Sequence, residues 1–130
     1  MNKLENVSDL AGRILISAIF LISGLGKIAQ YAGTQAYMQS AGVPGALLPL
    51  VIATEVGGAL AIIVGFKARW AAIALAGFSI VSAALFHANF ADQIQQIMFL
   101  KNVAMAGGFL IIAARGAGGL SLDARAHNAA

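Results

Sequence analysis

The stretch LLPLVIATEVGGALAIIVGF, residues 47–66, decides the fold. At about 1.5 Å of rise per residue, a helix of this length crosses a hydrocarbon core of about 30 Å. The run is apolar nearly throughout and lacks the strict alternation of a strand. Yet Glu55 stands near its middle. Counted from a helix start at Ala46 or Pro49, that carboxyl lies about 9–14 Å below the near end of the span. An unpaired charge there costs about 2.5–3.5 kcal/mol on insertion scales, so it needs a partner or a proton. The stretch reads as a membrane helix carrying a pairing or functional group.

Composition agrees. Hydrophobic residues make up 60% of the 130-residue chain and charged residues 10%, with a mean hydropathy of +0.86. A soluble domain averages roughly 45–50% apolar and about 25% charged residues. So small a domain, with its high ratio of surface to volume, cannot cover that much apolar surface. The eight basic residues are scattered singly, without the patch or basic helix face that nucleic acid requires. The absence of cysteine excludes disulfides, thiol catalysis and thiolate metal sites within this chain.

Four spans are expected, at about residues 10–28, 46–66, 70–88 and 97–114, followed by a polar tail, 116–130, that lies on the surface and frays. They form one domain, 1–130, with no internal repeat. Each span is continuously apolar, and lipid admits only helices or closed barrels. The fold class is therefore all-α, an integral membrane four-helix bundle. The apolar run of the first span continues into SGLGKIAQY without a convincing cleavage site, so it reads as a retained helix rather than a secretory signal. Lys3, Arg13, Lys67, Arg69, Arg115 and Arg125 fall on one side, against Lys27 and Lys101 on the other. By the positive-inside rule both termini are cytoplasmic.

The connections differ in kind. GFKARW is a tight cytoplasmic turn, with Trp70 as an interfacial anchor. QYAGTQAYMQSAGVPG reads as a short amphipathic outer helix between spans one and two. Tyr31, Tyr37 and Met38 sit at headgroup level while Gln35 and Gln39 face water. Gly42 and Pro44 end that helix, and Pro49 is tolerated in the first turn of the next. Asp92 is placed to cap the start of span four, and Asp123 to cap a surface turn. Arg13 reads as an anchor on the cytoplasmic side.

In lipid, helices associate through small residues and interhelical hydrogen bonds. Gly57, Ala61 and Gly65 in span two, Ser79 and Ala83 in span three, and Ala104, Gly107 and Gly108 in span four offer such surfaces, either within the bundle or between copies. Helical rise also brings Lys27, Glu55, His87, Lys101 and Asn102 into the outer half of the bundle, one or two from each span. Glu55 is expected to pair with Lys101 or Lys27. The bland alternatives are an ion pair that only fixes register, lysines that snorkel to headgroups, and a histidine that merely closes a helix end. The phenylalanines and methionines read mostly as lipid-facing or core. No metal site is expected, because His87, Glu55 and Asp92 lack ligand spacing. No motif binds a flavin, nicotinamide or haem.

RILISAIFLISGLGKI, YMQSAGVPG, EVGGALAIIVGF, FH and KNVAMAGGFLIIAARGAGGLSLD, taken in order, resemble the DoxX family of small four-helix membrane proteins. The likeness runs from about Arg13 to Asp123. It rests on the order of Arg13, Gly24, Lys27, Gly42-Val43-Pro44, Glu55, Gly57-Gly58, His87, Lys101-Asn102 and Ser121-Leu122-Asp123. It implies a bacterial inner-membrane protein linked to quinones or to a redox complex. Relatives accompany thiosulfate:quinone oxidoreduction, peroxide defence, or resistance to catechols and quinones; the lack of cysteine sets direct sulfur redox apart from this chain.

Three functions stand beside one another at this stage. A quinone-associated subunit would use Glu55 and His87 for protons and Lys27 or Lys101 to polarise a carbonyl, with electrons from a redox partner protein. A small-solute transporter would need a homo-oligomer, since four spans are too few for a pathway. A structural or assembly subunit would have no chemistry of its own.

Overall fold

A computed structural model describes residues 2–129, and among them the secondary structure is entirely helical. Four segments are long and apolar enough to span a membrane: Lys3–Ala29, Gly45–Val64, Ala68–Phe86 and Gln93–Arg115. Helix α1 (Lys3–Ala29) starts earlier than its apolar run because Asn2 caps it, accepting from the Glu5 amide at 2.8 Å. Glu5 in the first turn also favours the positive end of the helix dipole.

Helix α2 (Tyr31–Ser40) lies between the first two spans and ends before Gly42, whose φ of +81° turns the chain. Its faces are less cleanly divided than the sequence suggests. Met38 is buried, and Gln35 donates to the Gly45 carbonyl at 3.2 Å rather than standing free in water.

The second span is not a regular helix. It runs as a 3-10 turn (Gly45–Leu47), α3 (Leu48–Ile52), a π-helical turn (Ala53–Gly57) and α4 (Gly58–Val64). Pro49 sits in the first turn of α3, where a missing N–H is harmless. The Thr54 hydroxyl bonds back to the Leu50 carbonyl at 2.8 Å, a local contact that loosens a regular helix at the point where the π turn begins. Glu55 lies inside that widened turn.

Helices α5 (Ala68–Phe86) and α6 (Gln93–Arg115) form the most extensive helix pair, with Asp92 capping α6 through the Ile94 amide at 3.0 Å. Small residues make the packing close: Ala72, Ala76, Ser79, Ala83 and Ala106 are all buried. Phe20 meets Phe109 edge-on at 5.5 Å and Phe78 at 6.2 Å, tying α1 to both. Outside, Leu15, Ile22, Trp70, Ile94 and Ile111 stand exposed, the belt a lipid-facing surface needs.

Among the small-residue positions, Gly24, Gly65 and Gly108 make close approaches, the last with a would-be Cβ 2.5 Å from Ile16 Cδ1. A Cβ on Gly24 would meet Val56 Cγ2 at 2.6 Å and Glu55 Cβ at 3.3 Å, so this glycine lets the π turn seat on α1. A Cβ on Gly57 would meet nothing within 4 Å, and one on Gly58 would touch the Leu75 side chain at 3.0 Å; neither admits a second backbone. Gly65, at φ +73°, ends α4 and packs directly under Ser121.

The end of the bundle away from α2 is held by side chains that cap other helices. Arg13, expected as an interface anchor, points inward instead and is 2% exposed. Its Nη1 donates to the Ile62 and Ile63 carbonyls at 3.1 and 3.0 Å, and its Nη2 to the Leu120 carbonyl. These are terminal carbonyls of α4 and of the segment after α6, so a guanidinium satisfies them and suits the negative end of the α4 dipole. Asp123 caps the GFKARW turn, accepting from the Lys67 and Ala68 amides at 2.7 and 2.9 Å at the start of α5. Arg69 donates to the Ala114 carbonyl at 2.9 Å at the end of α6. Part of the tail is helical and docked: α7 (Leu122–Ala129) forms on a Ser121 cap, and the Asp123 amide donates to the Gly65 carbonyl at 2.8 Å. Residue 130 of the expected tail lies outside the described residues.

Candidate functional site

Helical periodicity puts Arg13, Ser17, Phe20 and Gly24 on the buried stripe of α1, and Lys27 continues it by three residues. The π turn presents Glu55 to the same stripe. The result is an ion pair, Lys27 Nζ to Glu55 Oε1 at 2.7 Å, with Lys27 also donating to Ser23 Oγ at 2.6 Å. Of the two lysines weighed as the partner of Glu55, the fold selects Lys27. Glu55 is 3% exposed, and beyond this pair its Oε1 accepts no hydrogen bond among the described residues.

The pair borders a cavity of about 440 Å³ at the α2 end of the bundle. That volume falls in the range of small-ligand sites, about 300–1,000 Å³. Its wall is mostly apolar, and all five candidate polar residues, Lys27, Glu55, His87, Lys101 and Asn102, line it. One face of α6 supplies Met98, Lys101, Asn102 and Met105, and one face of α5 supplies Phe78, Ser82 and Phe86. Four of these five are already engaged. Asn102 donates through Nδ2 to the Ser79 carbonyl at 3.1 Å and to Ser82 Oγ at 3.0 Å, bridging α5 and α6. His87 Nδ1 lies 2.8 Å from Gln95 Oε1. An amide oxygen only accepts, so Nδ1 carries the proton in this contact. Lys27 holds Glu55.

Lys101 differs. Its ammonium contacts Met98 Sδ at 3.8 Å, and among the described residues no carboxylate lies within 4.0 Å of it.

Over the cavity mouth lies α2. Tyr37 stacks on Phe86 with ring centres 5.4 Å apart, and Thr34, Tyr37 and Met38 line the space beneath. Tyr31 is 38% exposed and stays outside the cavity; Trp70 is 73% exposed at the opposite end. The aromatic and methionine residues add to the sequence reading: Phe20 is core as expected, with Phe78 and Met105 packed against it. Phe20, Phe78, Phe86, Met98 and Met105, read there as lipid-facing or core, form much of the cavity wall. The signal available was spacing: Met98, Lys101 and Met105 recur every three to four residues, as do Phe20, Ser23 and Lys27. Gln95 and the Arg13 clamp carried no such signal, because Gln95 meets His87 only across the α5–α6 connection and the partners of Arg13 come from distant parts of the chain.

Among the described residues no group of three histidine, aspartate or glutamate side chains is placed to hold a metal ion.

No solved structure matches the chain. Inner membrane protein YqjF of Escherichia coli K12 is 51% identical over 123 residues, covering 95% of each chain. Inner membrane protein YphA of the same organism is 37% identical over 123 residues, covering 89% of this chain and 88% of that one. A family model described as DoxX matches residues 8–88, and with these identities the chain belongs to the DoxX family.

Proposed function

We propose that this chain is an inner-membrane protein, both termini cytoplasmic, that holds a quinone-class ring in the cavity beneath α2 as the membrane subunit of a redox complex. The inner-membrane setting follows its relatives' names. The orientation follows the basic residues at the Arg13 end. One observation carries the ligand reading: a mostly apolar 440 Å³ space edged by Lys27, Glu55, His87, Lys101 and Asn102. A quinone needs an apolar slot for its ring and a hydrogen-bond or proton donor near each carbonyl oxygen. When bound, the quinone supplies the redox chemistry, and the electrons come from a partner protein. The chain's own residues position and protonate: Lys101 faces one oxygen, while the Lys27–Glu55 pair or His87 serves the other. The stacked Tyr37 keeps water from the ring.

The test is quinone-dependent oxidation by membranes carrying wild type, Glu55→Gln or no protein, alongside binding of decylubiquinone to the purified chain. Binding and turnover that fall in the variant support the reading. Unchanged values in all three membranes end it. A second reading, a structural subunit without chemistry, draws on the 2.7 Å ion pair, which by itself fixes the register of α1 against the π turn. Its mark is co-purification of a partner with both wild type and Glu55→Ala.

A further inference from the structure

Charge accounting around the cavity separates one group from the rest. Lys27 and Glu55 cancel at 2.7 Å. Asn102 is neutral, with its amide hydrogens committed to α5. His87 is tied to the neutral Gln95. Among the described residues that line the cavity, Lys101 alone brings a charge without a counter-charge within 4.0 Å, and its polar contact, a thioether, is a weak acceptor. It stands eight residues into α6 from Gln93, about 12 Å of helix, and lines the cavity. The cavity walls carry Phe78, Phe86 and Tyr37 from α5 and α2, with Met98 and Met105 beside Lys101 on α6. Such walls favour a flat ring, because thioethers pack well against aromatic edges.

We propose that the cavity prefers, among planar rings, one that carries a single negative group, an aryl carboxylate or the phenolate of a hydroxylated quinone, and that Lys101 receives that group. This rests on the reading of the cavity as a ring-binding site and names the charge of what it takes. A neutral ring leaves the half-buried ammonium beside sulfur, whereas an anion supplies the charge that the protein withholds. Glu55 does not compete, being held by Lys27 on α1. The contact is a charge-assisted hydrogen bond, which is worth about a tenfold gain in affinity.

The test uses the full-length protein in nanodiscs, with protein-free nanodiscs as the partition control. Three probes of one ring system are titrated: 2-naphthoate, the neutral 2-naphthamide and 1,4-naphthoquinone. The expected result is naphthoate binding about tenfold tighter than naphthamide. Lys101→Met and Lys101→Gln abolish that preference and Lys101→Arg keeps most of it, with all three variants retaining wild-type helicity and melting. Equal binding of naphthoate and naphthamide overturns the anion assignment while leaving the ring site standing. So does a preference that survives both neutral substitutions. Failure of all three probes, naphthoquinone included, overturns both.

Discussion

At Glu55 the cost of a buried carboxylate is met by one specific neighbour. Lys27 reaches it from the next helix and keeps part of its own side chain toward the surface, 27% exposed against 4% for Glu55. Such a pair contributes little compared with two apolar residues, but breaking one half leaves an uncompensated charge. Lys27→Met is therefore expected to destabilise the protein by about 3–5 kcal/mol. Adding Glu55→Gln should recover most of that loss, since an amide needs no counter-charge. Unfolding in mixed micelles measures both; equal losses in single and double variants would mean that the pair is not the source. Glu55 was legible as a problem because charge in an apolar run stands out. Its solution was not, since Lys27 and Lys101 were equally placed by rise alone.

Among the elements, the broken second span shapes the site. A regular helix from Gly45 to Val64 would advance each side chain by a fixed angle, whereas the π turn at Ala53–Gly57 adds a residue and re-aims Glu55. What lets the turn seat is Gly24 on α1, where a Cβ would stand 2.6 Å from Val56. Gly24→Ala is expected to cost about 1–3 kcal/mol through overpacking against a β-branched side chain. It should also loosen the Lys27–Glu55 pair and weaken ligand binding at the adjoining cavity. A thermal melt and a 1,4-naphthoquinone titration read the two effects; wild-type values in both would show that the approach at Gly24 is not needed. The sequence offers Gly57, two residues after Glu55, as a small packing position. The fold uses the one across the interface, a choice that depends on which helix faces are turned together.

The whole molecule has two working ends. At one, Arg13, Asp123 and Arg69 close helix termini on other segments; at the other lies the cavity. From Lys101 to Arg115 along α6 the separation is about 21 Å at helical rise, so changes at the two ends should act independently. Asp123→Ala is expected to lower stability by about 0.5–2 kcal/mol, the usual worth of a helix cap. It should also speed tryptic cleavage at Arg125 and leave naphthoquinone affinity unchanged. Combined with Lys101→Met, the stability effects should add to within about 0.5 kcal/mol. A drop in affinity on Asp123→Ala, or strong non-additivity, would show the ends to be coupled.

Four apolar runs, their approximate limits and the gathering of polar residues toward one end were written in the sequence. Hydropathy and rise per residue are properties of each segment by itself, and lipid leaves a segment of that length no other regular form. The inward turn of Arg13, the docked tail, the π turn, the choice of Lys27 over Lys101 and the aromatic wall of the cavity were decided only by tertiary structure. Each depends on the rotation of one helix against another. That rotation is set by where small side chains allow close approach, a relation between segments that neither segment states alone.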